Sequence, residues 1–483
     1  MSPRYETVIG LEVHAHLLTR SKLFCGCATT FGAPPNSQTC PVCQGMPGVL
    51  PVVNRSAVEF GIRTALALSL RINPESRFAR KHYFYPDMPK NYQISQYEAP
   101  LAEDGWLDIS VDGAERRIGI QRLHLEEDVG KLTHDGGVFE TATRSLVDFN
   151  RAGVPLMEIV SRPDLRSPAE AVEYLRMLRA ILRWLGVSDG NMEEGSFRCD
   201  ANVSLRPAGA PEYGVKVEIK NLNSFRHVKA ALDFEISRQT AVLDRGEPVA
   251  QETRLWNPEA GHTRSMRSKE YAHDYRYFPD PDLVPLRPDP AWVRAIGEAL
   301  PELPRARSRR FVEAYALPPY DADLLTSDRA LADYFEAAVR AHPSPKALAN
   351  WILTELLREL DGDAAAVARA PVRAEELARL VALVEDGTIS GKMAKNIFGT
   401  MWRTGEGPDV IVTREGLRQV ADAGALAAVV DQVIAAHPGV LGDYRSGKKQ
   451  ALGFLVGQVM KATGGKANPQ LVNRLLAERL PPA

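Results

Sequence analysis

Four short stretches of this chain alternate charged, amide or imidazole side chains with apolar ones. Glu12, His14 and His16 alternate with Leu11, Val13 and Ala15, and Arg122, His124, Glu126 and Asp128 alternate with Leu123 and Leu125. Asp200, Asn202, Ser204 and Arg206 do the same with Ala201, Val203 and Leu205, as do Lys216, Glu218 and Lys220 with Val217 and Ile219. A period of two predicts β-strands with each polar set on one face. Carboxylate oxygens suit Mg²⁺, and interspersed Lys and Arg suit phosphates. An antiparallel sheet with one packed and one wet face produces such alternation without any site. Four strands that all bring carboxylates beside imidazoles, amides and bases go beyond that.

No standard phosphate loop accompanies them. The nearest string, Gly387 to Met393, has the wrong spacing and lacks Ser or Thr after its lysine, so it reads as a turn. A nucleotide would have to sit on the carboxylate and basic sheet surface itself. The run Arg80 to Tyr97 interleaves aromatics with basic and amide groups. It fits either a base-stacking surface or a strand and Pro-stiffened loop packed with rings. Val147 to Val160 joins polar groups to a buried-type strand through a Gly153–Val154–Pro155 turn.

Cys25-x-Cys27 and Cys40-x-x-Cys43 supply four thiolates as two close pairs, and Cys199 stands apart. An odd count argues against a disulfide framework. Two pairs closed by a loop containing Gly32, Pro34, Pro35 and Asn36 suit structural zinc with no open coordination position. Four reduced thiols in a loop are the plainer alternative.

These elements need a scaffold larger than one core. A length of 483 residues predicts two or three domains. The formal charge of −2 gives no global pull toward nucleic acid, so any such contact must be local. Residues 444–483 hold seven Lys or Arg against one Glu, a local positive surface. No run approaches the roughly 18 apolar residues of a membrane span, and no leader-like segment opens the chain, so a cytoplasmic location is expected. Strand-like alternation gives way near residue 290 to Ala, Leu and Arg at helical spacing, across five prolines between Pro279 and Pro290. A second seam is expected at Thr404 to Pro408.

Several long strings carry a resemblance. Glu6 to His14, Tyr83 to Asp87, Asp148 to Val160, Glu193 to Ser204, Glu218 to Phe225, Asp274 to Pro279 and Gly453 to Pro469 closely resemble the GatB family, the B subunits of bacterial aspartyl/glutamyl-tRNA amidotransferases. The resemblance implies an α+β protein: a mixed α/β cradle with an antiparallel sheet over 1–292, a helical domain over 293–405 and a YqeY-like helical tail over 406–483. It implies that ATP phosphorylates the side-chain carboxylate of Glu-tRNA(Gln) or Asp-tRNA(Asn). Ammonia from the glutaminase, the A subunit, then displaces phosphate, and a small C subunit ties the glutaminase to the B subunit. It implies magnesium held around Glu12, His14, Glu127, Asp200 and Glu218. Strict alternation instead puts Glu126 on the His124 face and Glu127 on the other, so both are retained; a bulge or the strand's end would reconcile them. Lys81, Tyr83 and Tyr85 are candidates for the nucleotide or the acylated tRNA end, and Lys448, Lys449, Lys461 and Lys466 for the tRNA body. Some family members lack all four thiols, which fits a zinc staple rather than a catalyst.

Overall fold

In the computed structural model the described residues are 4–135, 143–268, 272–417, 423–440, 450–463, 467 and 469–480. They form an α+β protein that divides into two compact units, residues 1–303 and 304–483.

The first unit is built on strands β1 (Tyr5–His16), β2 (Arg71–Ile72), β3 (Ala79–His82), β4 (Tyr92–Ser95), β5 (Ala102–Val111), β6 (Ala114–Glu127) and β7 (Lys131–His134). There follow β8 (Ser145–Asp148), β9 (Pro155–Ser161), β10 (Phe197–Pro207), β11 (Val217–Lys220), β12 (Glu252–Asn257), β13 (His262–Ser268) and β14 (Phe278–Pro279). Nine of them make one sheet in the order β13-β12-β11-β10-β1-β9-β6-β5-β2. Its pairs are antiparallel except β11 with β12. A smaller sheet runs β14-β3-β4. The β5–β6 hairpin turns at Asp112 (φ 52°) and Gly113 (φ 78°), the two left-handed residues that a tight hairpin matching strand twist requires.

Helices α1 (Arg55–Ala67), α2 (Pro168–Trp184) and α3 (Phe225–Asp244) cover one face of the large sheet. Ile9, Leu11, Val13 and Ala15 of β1 are buried there with Leu175 and Leu178 of α2 and Val228 and Ala231 of α3. The apolar half of each alternating strand is thereby consumed, which leaves the polar half on the other face. Each helix starts at a polar cap: Asn54 accepts from the Ser56 and Ala57 amides, Ser167 from Glu170, and Ser224 from His227. Asn54 also donates to the Ser21 and Lys22 carbonyls, at 3.1 and 3.2 Å. Asn54→Ala removes the cap and these ties together. It is expected to cost about 1–2 kcal/mol, read as a lower first midpoint in urea.

A fourth helix, α4 (Pro290–Glu298), packs on α1, and the Trp184 Nε1–H donates to the Glu302 carbonyl at 2.9 Å. These contacts carry the first unit past the proline-rich seam near 290. In the second unit, the Gly387 to Met393 string is a turn and helix start: Gly387 has φ 76° and Ser390 caps the helix Gly391–Thr404. The helix Pro408–Glu415 packs back on Ala374–Glu385 and Gly391–Thr404, and Arg379 pairs with Asp409 at 2.7 Å. Beyond it, Leu426, Val430, Leu455, Val459, Val472 and Leu476 form a separate apolar cluster. Among the described residues no helix is long and apolar enough to cross a membrane.

Candidate functional site

The polar face of the large sheet gathers its chemistry on five neighbouring strands. Glu12 on β1 stands opposite Asp200 on β10, and two residues along β1 His14 stands between Glu158 on β9 and Arg198 on β10. On the far side of β9, His124 of β6 is also opposite Glu158. Asn202 of β10 faces Glu218 of β11. Two polar centres result, separated along β1 by about 7 Å, the span of two strand residues.

The first centre is buried. Glu158 Oε2 lies 3.3 Å from the Nε2 of both His14 and His124, and Glu126 lies 3.8 Å from each ring. Ser95 Oγ donates to Glu126 at 3.0 Å. One ligand atom each from His14, Glu126 and Glu158 fall within 4.8 Å of one another, which is metal-holding geometry. Burial pulls His14 down, but the Glu158 hydrogen bond and the surrounding carboxylates overcome it and raise the imidazole to about 9. Burial alone would raise Glu158, yet the His124 charge and the two imidazole hydrogen bonds hold it well below the usual carboxylate range.

The second centre is held by amide, hydroxyl and ammonium groups. Asn202 donates to Glu12 at 2.9 Å, and Thr253 donates to Glu218 at 2.7 Å. Lys220 lies 3.0 Å from Asp200 and 3.8 Å from Glu218. Burial pulls its ammonium down, but these two carboxylates push it well above its ordinary value.

Of the residues expected to meet substrate, Lys81 on β3 is brought to the first centre. Burial lowers its ammonium, and the charges of Glu126 and Glu158 more than restore it. Its Nζ lies 5.2 Å from the Tyr275 ring centroid. Tyr83 meets Tyr275 edge-on at 6.2 Å, and burial raises its phenol. Tyr277 stacks on Tyr97 at 4.2 Å. Tyr85 is exposed. The aromatic block is thus part sheet packing and part rim of the polar face.

Glu127 is placed elsewhere. A bulge or the strand's end would join it to the other ligands; β6 shifts register only between Ile120 and Arg122 and then pairs regularly to its last residue, with Glu126 opposite Leu156 and Glu127 opposite Pro155. The period of two therefore turns Glu127 to the reverse side, where it pairs with Lys90 and accepts the Ile94 amide at 2.9 Å. Glu158 and His124 take the central places instead. His124 was legible in the alternation; Glu158 is a lone carboxylate in the apolar run Pro155 to Val160, and that isolation was its only signal.

The sulfur ligand atoms of Cys25, Cys27, Cys40 and Cys43 also lie within 4.8 Å of one another, and all five cysteines are free thiols. The Cys40 amide approaches Cys43 Sγ at 3.2 Å, and the fully buried Lys22 places its Nζ at 3.5 Å. Cys43 is held below its ordinary value, first by the Cys25 hydrogen bond, then by the Cys40 amide and the Lys22 charge. Four converging soft sulfur ligands with an adjacent cation are a candidate metal centre. In the tail, Lys461 is exposed at the end of helix Gln450–Ala462, while Lys448, Lys449 and Lys466 lie outside the described residues.

Comparison with known proteins decides the family. Residues 7–294 match the model described as the GatB/GatE catalytic domain, and residues 333–480 match the GatB domain model. The B subunit of the aspartyl/glutamyl-tRNA(Asn/Gln) amidotransferase of Moorella thermoacetica is 58% identical, over 99% of this chain and 100% of that protein. The chain belongs to the GatB family. The same-named proteins of Carboxydothermus hydrogenoformans and Geobacter sulfurreducens are each 55% identical over 99% of both lengths. Both polar centres and the four-cysteine loop lie inside the segment that matches the GatB/GatE catalytic domain.

Proposed function

We propose that this chain is the component of a tRNA-dependent amidotransferase, a ligase forming a carbon–nitrogen bond, that activates the side-chain carboxylate of glutamate or aspartate on misacylated tRNA. The observation that carries the reading is the sheet face where His14, Glu126 and Glu158 converge beside Lys81. A carboxylate resists ammonia because its oxygen would have to leave as oxide or hydroxide. In the proposed sequence, a side-chain carboxylate oxygen of the aminoacyl group attacks the γ-phosphorus of ATP. The bond to the β-phosphate oxygen breaks, and ADP leaves with that electron pair. Ammonia then adds to the acyl carbon and loses a proton. The carbon–oxygen bond to phosphate breaks, giving Gln-tRNA(Gln) or Asn-tRNA(Asn) and inorganic phosphate. The glutaminase partner would supply ammonia from glutamine, with the small third partner joining it to this chain.

The chain's own groups suit these demands. Magnesium, when bound, neutralises charge on the phosphates, and Glu12, His14, Glu126, Glu158, Asp200 and Glu218 are the residues that would hold it. Lys81 and Lys220 orient phosphate oxygens as point charges. Tyr83 and Tyr275 narrow the approach and exclude water. Zinc suits the four thiolates: a tetrahedral site with Zn–S near 2.3 Å sets sulfurs about 3.8 Å apart, inside the observed cluster, and Lys22 offsets one of the two excess negative charges. The basic tail, with Lys448, Lys449, Lys461 and Lys466, would contact the tRNA body through phosphates without reading sequence.

An ion at His14 requires a neutral imidazole. With His14 raised to about 9, ion binding near pH 7.5 is expected to expel close to one proton, and affinity should climb with pH until about 9. Calorimetric Mg²⁺ titrations in buffers of different ionisation enthalpy read this directly; buffer-independent heats would contradict it. The functional reading is tested by ATP turnover stimulated by Glu-tRNA(Gln), with the glutaminase and the small partner present. Asp200→Ala and Glu218→Ala should abolish the stimulation, and its survival in both would refute the site.

A further inference from the structure

The end of β6 faces two ways. Glu126 enters the His14 centre, and Glu127, the next residue, enters the reverse side, where its backbone carbonyl also accepts from Gln93 Nε2 at 2.6 Å. The Lys90 that pairs with Glu127 lies against the cysteine loop: a Cβ at Gly45 would meet Lys90 Cγ at 2.2 Å, and Gly45 itself has φ 65°. Lys22, Cys25, Cys43, Lys90 and Glu127 line one cavity of about 100 Å³. A backbone tie runs in parallel. Leu23 donates to the Gly153 carbonyl at 2.8 Å, Gly153 to Asp128 at 2.9 Å, and Asp128 to Val154 at 2.8 Å. Lys22, beside Cys43, also donates to the Phe149 carbonyl at 3.2 Å.

We propose that Glu127 and Lys90 are positioning residues, a buried ion pair that holds the end of β6 against the four-cysteine loop and thereby fixes the Glu126 carboxylate on the opposite face. Adjacent strand residues share one peptide unit, so displacing the Glu127 side chain rotates the backbone that aims Glu126. The pair never touches substrate and acts only through Glu126. Groups that orient a ligand matter to ion affinity nearly as much as the ligand. The inference rests on reading Glu126 as an ion-holding residue.

The test titrates Mn²⁺ into the full-length, zinc-loaded chain by electron paramagnetic resonance. Lys90→Met and Glu127→Gln are each expected to weaken binding by about 10–100-fold, with zinc content unchanged by elemental analysis. The double variant should be no weaker than the worse single one, because both break one link. Glu127→Asp keeps the charge but shortens the reach, and should also weaken Mn²⁺ if Lys90→Met does not fold. Unchanged Mn²⁺ affinity in the folded variants would overturn the proposal. So would loss in Glu127→Gln with none in Lys90→Met, which would mark Glu127 as a direct ligand. Glu126→Gln is the control: if it leaves Mn²⁺ affinity intact, the ion reading of the front face fails instead.

Discussion

Glu158→Gln is expected to lower ATP-dependent amidation by roughly 10²–10³-fold, the loss typical of one preorganised electrostatic contact at a reacting phosphate or oxyanion. Glu158 Oε2 sits 3.3 Å from two imidazoles, so one carboxylate orients both rings and balances their charge. Removing its negative charge lets both imidazole pKa values fall, because Glu158 supplies a large share of the interactions that offset burial, with Glu126 left to supply the rest at both rings. A stability cost of about 3 kcal/mol is expected from breaking a buried charge pair. Rate and melting temperature should therefore be measured together. A folded variant with near wild-type turnover would show that the first centre is only structural.

Cys43→Ser carries the second large effect. It is expected to empty the loop of zinc and to destabilise the first unit by about 3–5 kcal/mol. The reason is Lys22, fully buried with its ammonium 3.5 Å from Cys43 Sγ. Without thiolates nearby, that cation is left uncompensated in a low-dielectric interior, and such a loss costs about 3–5 kcal/mol. Lys22→Met in the same background should recover part of the loss, since it removes the stranded charge. Zinc content and urea midpoints of the two variants check this. A Cys43→Ser protein with wild-type stability would rule out the zinc staple.

What could be read in the residues follows from how local each signal is. Alternation in β1, β6 and β10 was legible because one face of the sheet is packed by helices and the other is polar. The four cysteines were legible because ligand spacing is local. Glu158 was not, since its neighbours on the same face, Leu156 and Val160, are apolar and hide the period. The parallel pairing of β11 with β12 through the α3 crossover was not legible either, because Glu252 to Asn257 lacks the strict alternation that marks the other strands. At the expected seam, 404–408, Gly405 is a left-handed cap with φ 72° and Pro408 begins the next helix. Lys22 and Lys90 gave no sequence signal, for their roles depend on elements distant along the chain.

Phosphate transfer to the aminoacyl carboxylate leaves an isotopic record. The decisive measurement uses Glu-tRNA(Gln) carrying ¹⁸O in the glutamyl side-chain carboxylate, in one turnover with ATP, the glutaminase and the small partner. One labelled oxygen is expected to appear in inorganic phosphate, and the transfer should disappear with Glu126→Gln or Asp200→Ala. Amidated tRNA formed alongside unlabelled phosphate would contradict carboxylate phosphorylation on this chain.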